Sequence, residues 1–125
     1  MARDHRKLKV FQLADDLVLE VYLKTKNFPR EESFGLTSQM RRAAVSVPAN
    51  IVEGCSRPSN ADYLRFLVVA KGSLQELGYY LHLSQRLRYL SDERFSAIDG
   101  QYDECACRLQ ALINAVERGR GAGSG

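Results

Sequence analysis

The residues of this 125-residue chain that come closest to a reactive constellation are two carboxylates, Glu53 and Glu76, with Arg42 and Asn50 at helical spacing before Glu53. A pair of carboxylates beside an arginine can do acid–base work or hold a ligand. The same four side chains can also form a satisfied network that fixes helix register. The second use is expected here. Glu76 projects into an apolar arc of its helix, and a buried carboxylate without a partner costs several kcal/mol. Arg42, Asn50 and Glu53 are therefore expected to meet Glu76 in a structural polar network. A di-iron centre would need Glu-x-x-His, but the residues three after Glu53 and Glu76 are Ser56 and Tyr79. His82 is the one histidine inside a predicted helix, and no Gly-x-Ser-x-Gly elbow is present. The three cysteines, Cys55, Cys105 and Cys107, form neither a disulfide framework nor a four-ligand zinc set. Gly119 to Gly125 precede no helix and make no phosphate loop. No catalytic residue, metal or cofactor is expected, and the chain is read as a non-enzyme.

The basic residues suggest different chemistry. Eighteen Lys/Arg oppose fifteen Asp/Glu, a net charge of +3, which is too small to name a partner by itself. Its distribution is more informative. Residues 1–9 hold four basics and one acid, whereas residues 91–118 hold three basics and six acids. The central stretch, 35–90, is basic. Arg57, Arg65, Lys71, Arg86 and Arg88 are the candidate contacts to RNA or DNA, because arginine binds phosphate through two parallel N–H bonds. Tyr63, Tyr79, Tyr80 and Tyr89 are candidate stacking platforms for bases.

Four amphipathic segments must position these groups. In the first, about 10–27, Val10, Leu13, Ala14, Leu17, Val18, Val21 and Tyr22 recur at spacings of three and four. Pro29 limits it. The second, about 36–54, carries Leu36, Met40, Ala43, Ala44, Val47 and Ile51. Pro48 is expected to bend it, and Gly54 is expected to end it with a positive φ. The third, about 60–88, starts at a capping box of Ser59 and Asp62 and runs through Tyr63, Phe66, Leu67, Ala70, Leu74, Leu77 and Leu81. The fourth, about 92–117, starts at Ser91 and carries Phe95, Ile98, Tyr102, Cys105, Leu109, Leu112 and Val116. No convincing strand pattern appears. Short links between four such helices predict an all-α, antiparallel up-down-up-down four-helix bundle over 1–118, with 119–125 a flexible tail.

The third segment has a second apolar arc, Val68, Val69, Tyr79, Tyr80, Leu83 and Leu87, away from its core stripe. An arc of that size predicts self-association. The absence of a signal-type start, a membrane-length apolar run and a disulfide framework predicts a cytoplasmic protein without a membrane partner.

Two runs carry a resemblance. Phe34-Gly-Leu-Thr-Ser-Gln-Met-Arg-Arg-Ala-Ala-Val-Ser-Val-Pro-Ala-Asn-Ile-Val-Glu-Gly and Phe66-Leu-Val-Val-Ala-Lys-Gly-Ser-Leu-Gln-Glu-Leu-Gly-Tyr-Tyr-Leu, with the opening Leu8-Lys-Val-Phe-Gln-Leu-Ala, resemble the four-helix-bundle proteins encoded in intervening sequences of 23S ribosomal RNA genes. The resemblance covers about residues 7–117. It implies a bacterial cytosolic homo-oligomer, expected as a pentameric ring. The family pattern includes Arg42, Asn50, Glu53, Arg57 and Glu76. The family is distantly similar to the accessory variability protein of diversity-generating retroelements, which binds nucleic acid and a reverse transcriptase. The resemblance thus points to an oligomeric bundle that binds RNA, DNA or a nucleic-acid-handling partner electrostatically. The alternative is a structural protein–protein adaptor.

Overall fold

The computed structural model describes residues 3–123. It is an all-α four-helix bundle: α1 Lys9–Thr25, α2 Leu36–Cys55, α3 Asn60–Arg86 and α4 Asp92–Gly123, with single 3-10 turns at His5–Lys7 and Arg30–Glu32. Each helix packs on two neighbours in the ring order α1, α2, α3, α4. The ends of the bundle are tied across its links. Arg3 reaches the α2–α3 link through the Arg57 carbonyl, and at the far end Tyr89 Oη donates to Glu32 Oε2 at 3.0 Å.

The periodic stripes make the core. Leu17, Met40, Ile51, Leu67, Leu74, Leu77, Leu81, Ile98 and Leu109 are among its fully buried side chains. Each contributes roughly 1.5–3 kcal/mol relative to exposure. Tyr22, expected inside, is exposed on the outer edge of α1, while Thr25 is buried and donates Oγ1 to the Val21 carbonyl at 2.7 Å.

Several boundaries differ from expectation. The first helix ends two residues early, because Phe28 turns inward to pack on Tyr89 with ring centroids 5.3 Å apart. Pro48 lies within an uninterrupted α2 and is itself buried. Among the described residues no glycine has a positive φ, so Gly54 is not a left-handed cap. It is helical and buried, and a Cβ there would lie 3.1 Å from both Phe66 Cβ and Tyr63 Cδ1. Gly54 lets α2 and α3 approach closely. The left-handed position belongs instead to Arg88, at φ 65, just past the end of α3. There the Tyr89 and Leu90 amides both donate to the Ser84 carbonyl, at 2.9 and 3.2 Å. This is a helix-ending arrangement in which the left-handed residue lets later amides satisfy orphan carbonyls. Ser59 and Ser91 cap α3 and α4, accepting from the amides of Asp62 and Arg94 at 3.1 and 3.2 Å.

The last helix continues through residues 119–123, which were expected to be tail, because no proline or left-handed residue interrupts it there. Residues 124–125 lie outside the described residues.

Candidate nucleic-acid interface

Three arginines converge where the N-terminal segment meets the α2–α3 link. Arg57 follows the end of α2, and its guanidinium carbon lies 4.8 Å from the centroid of the Phe66 ring. Arg65, one turn into α3, lies 4.8 Å from the same ring. Arg3 lies 4.2 Å from the Tyr63 ring centroid, donates Nη1 to the Arg57 carbonyl at 2.6 Å, and donates Nη2 to Asn60 Oδ1. Stacking on aromatic faces attracts a cation and orders a side chain that would otherwise cost entropy to fix.

The sequence pattern does not single out Arg3. Its partners are more than fifty residues away along the chain, and only the fold brings them together. The one available signal was the density of basic residues at the amino terminus. With Arg3 included, residues 3–9 and 53–65 present Arg3, Arg6, Lys7, Lys9, Arg57 and Arg65 against Asp4, Glu53 and Asp62. The acids are partly engaged: Glu53 lies 3.4 Å from Arg57 Nη2, Asp62 lies 3.6 Å from Arg65 Nη2, and Asp4 pairs with Arg6 at 3.0 Å. All three pairs are substantially solvated, so each contributes little to stability. Arg57 Nε is buried and has no acceptor. An unsatisfied buried donor costs roughly 1–3 kcal/mol.

The five expected contacts do not form one patch. Arg57 and Arg65 sit at one end of α3, Arg86 and Arg88 at the other, roughly 30 Å away at ~1.5 Å per residue. Lys71 is half-buried between them. The stacking platforms are also fewer than expected. Tyr63 is buried beneath Arg3, and burial pushes its hydroxyl up to about 12, with Cys55 adding to the shift. Tyr80 is half-buried, and Tyr89 is bonded to Glu32. Tyr79 alone of the four is open, at 58% exposure.

The expected polar network does not form within the chain. Glu76 is exposed, because the second apolar arc of α3 faces outward rather than into the bundle. Glu53 is exposed and accepts from Ser56 Oγ at 3.2 Å. Asn50 turns back on its own helix, donating Nδ2 to the Ser46 carbonyl at 2.8 Å and to Ser46 Oγ at 3.0 Å. Ser46 Oγ and Ser73 Oγ share a 2.8 Å hydrogen bond that links α2 to α3. Arg42 and Glu76 border the polar groove around these serines without forming an ion pair.

Val68, Val69, Tyr79 and Leu87 of the second arc are 44–58% exposed, and Val45 and Val52 of α2 are exposed as well. Tyr80 and Leu83 pack partly against the core. Among the described residues no helix is long and apolar enough to cross a membrane.

No curated protein matches the sequence. The fold is similar to the crystal structure of a protein of unknown function from the S23 ribosomal protein family of Bacteroides thetaiotaomicron. The two are 25% identical, with a TM-score of 0.76, over 83% of this chain and 97% of that one. The family described as 23S rRNA-intervening sequence protein matches residues 6–111. Nearly the whole bundle, from the first 3-10 turn to the last third of α4, lies within that match, and the chain belongs to the 23S rRNA-intervening sequence protein family.

Proposed function

We propose that the protein is a non-enzymatic, self-associating helical bundle of the bacterial cytoplasm that binds nucleic acid through the arginine cluster at its α2–α3 end. The observation that carries this reading is the placement of Arg57 and Arg65 each 4.8 Å from the ring centroid of one residue, Phe66, with Arg3 beside them on Tyr63. The aromatic faces are occupied by guanidinium groups, so the cluster offers N–H edges to phosphate rather than rings to bases. It reads backbone, not sequence. Arg86 and Arg88 are too distant to serve the same phosphates and form a secondary contact at most. The outward arc of Val68, Val69, Tyr79 and Leu87 supports self-association, and the family resemblance supports a ring of five copies. In such an assembly the basic ends add their affinities through effective concentration.

The same arc favours a second reading, a protein–protein adaptor or a partner of a nucleic-acid-handling protein. Salt separates the two. Binding of structured RNA and of duplex DNA, followed by fluorescence anisotropy, is expected to weaken with a log–log slope of about −0.7 to −0.9 per phosphate neutralised. Absence of binding to either at low salt would leave the adaptor.

A further inference from the structure

We infer that the groove between α1 and α2 is a separate anion site that takes a phosphate group. It is an open groove of about 580 Å³ on the outside of the bundle. Its walls carry the guanidinium groups of Arg41 and Arg42 and the hydroxyls of Ser33, Thr37, Ser38 and Ser46, and no carboxylate. The adjoining recess shares Ser33, Thr37 and Arg41, adds Lys26 and Arg30, and again has no carboxylate in its walls. Of the nearby acids, Glu76 stands on the far side of Arg42, in the wall of the neighbouring recess that shares Arg42 and Ser46, and the other two are engaged elsewhere. Glu20 pairs with Lys24 at 3.0 Å, and Glu32 accepts from the Leu36 amide at 3.1 Å and from Tyr89 Oη at 3.0 Å.

The donors are also held in place. Arg41 stacks on Tyr22 with its guanidinium carbon 4.6 Å from the ring centroid, and its Nε donates to Thr25 Oγ1 at 2.9 Å. Thr25 Oγ1 in turn donates to the Val21 carbonyl. These bonds, with a longer one from Nη2 to the Tyr22 carbonyl at 3.5 Å, fix the guanidinium plane; an oxyanion is then met by the remaining Nη N–H groups. Arg42 is exposed and makes no ion pair among the described residues. A groove walled by fixed cationic donors and hydroxyls suits a ligand with several acceptor oxygens and negative charge. It repels cations, and its exposed apolar surface is limited to Val45 and the ring of Tyr22, on which Arg41 is stacked. The phosphate belongs either to a small phosphomonoester or to the diester backbone of a strand. Thr37 lies near the start of α2 and Arg57 just past its end, so the groove is distinct from the Arg57–Arg65 cluster.

Amide NMR titration of the full chain with AMP, with inorganic phosphate and with a single-stranded oligonucleotide lacking terminal phosphates locates the site, and calorimetry measures affinity. Saturable shifts are expected at Ser33, Thr37, Ser38, Arg41 and Arg42. Arg42→Ala is expected to weaken binding by about tenfold or more, because Arg42 supplies charge-assisted hydrogen bonds. Its exposure leaves folding unaffected. The variant Arg57→Glu/Arg65→Glu is expected to keep the same affinity in this groove, so failure of the nucleic-acid cluster and failure of this site are separable. Saturation by AMP alone identifies a phosphomonoester, and saturation by the oligonucleotide alone identifies backbone diester; both support the site. No saturable shift at these amides with any of the three probes up to ~10 mM, where a site with a Kd of about 1 mM is mostly filled, would overturn it. So would an Arg42→Ala variant that binds like the parent.

Discussion

Arg3 donates its Nη1 to the backbone carbonyl of Arg57 at 2.6 Å, and this bond joins the amino-terminal segment to the link between α2 and α3. One arginine thereby orders another. The carbonyl that Arg3 holds belongs to the residue whose guanidinium rests on Phe66, and the Arg3 guanidinium covers Tyr63 one turn away. Arg3→Ala is expected to cost about 1 kcal/mol of stability, the ordinary net contribution of such a hydrogen bond. It should also reduce the salt slope of nucleic-acid binding by about 0.7 to 0.9, the share of one phosphate contact. Binding titrations at several salt concentrations check both the affinity and the slope.

Glycines separate close helix approach from idle flexibility. A Cβ at Gly72 meets nothing within 4 Å, so Gly72→Ala is expected to stabilise α3 by up to about 1 kcal/mol. At Gly54 the same methyl group would stand 3.1 Å from Phe66 Cβ and Tyr63 Cδ1. Overpacking of about 1–3 kcal/mol outweighs the helix gain there, and the α2–α3 crossing must widen. Thermal melts of the two variants are expected to move in opposite directions.

Glu76→Ala is expected to change stability by less than about 1 kcal/mol, because Glu76 is exposed and the one neighbour it engages is the half-exposed Tyr80 hydroxyl. Chemical denaturation measures it. A loss of several kcal/mol would mean that a second copy covers Glu76 and pairs with it.

Stability is expected to fall on the alkaline side. Burial holds the Cys105 thiol at about 12, up from 9.0, and the Tyr63 hydroxyl at about 12, up from 10.0. Both groups are neutral in the folded chain where their unfolded counterparts already ionise. The unfolded state therefore gains from deprotonation first, and their contribution is complete below pH 9 and declines progressively from pH 9 to 12. Denaturant midpoints across that range check the sign. Among the thiols, Cys107 is exposed while Cys55 and Cys105 are buried. One thiol per chain should react promptly with a thiol reagent at pH 8, and the other two only on unfolding.

The bundle was legible because its stripes are long and regular: Leu67, Ala70, Leu74, Leu77 and Leu81 recur at spacings of three and four on one face of α3, and all are buried. Periodicity says which residues share a face, but not whether that face is covered. That is why Glu76, grouped with Val68 and Tyr79, was expected inside a network and instead stands in solvent. Tyr63 lies on the core stripe and is also a candidate stacking platform, and the core claims it. Gly54 looked like a helix terminator because glycine often is one, but the requirement it meets is set by Tyr63 and Phe66 on another helix. Arg3 and the α1–α2 groove depend on tertiary proximity, which local spacing does not encode. Phe34 is fully exposed in the link before α2, and nothing among the described residues explains it.

Arg57 and Arg65 on Phe66 are the proposed contact to nucleic acid. Its most direct test is the affinity of the Arg57→Glu/Arg65→Glu variant for structured RNA and duplex DNA at low salt, with helical circular dichroism and oligomer mass measured alongside. Loss of binding is expected, with both folding and assembly intact. Binding at the parent's affinity by a variant with an unchanged helical spectrum would contradict it.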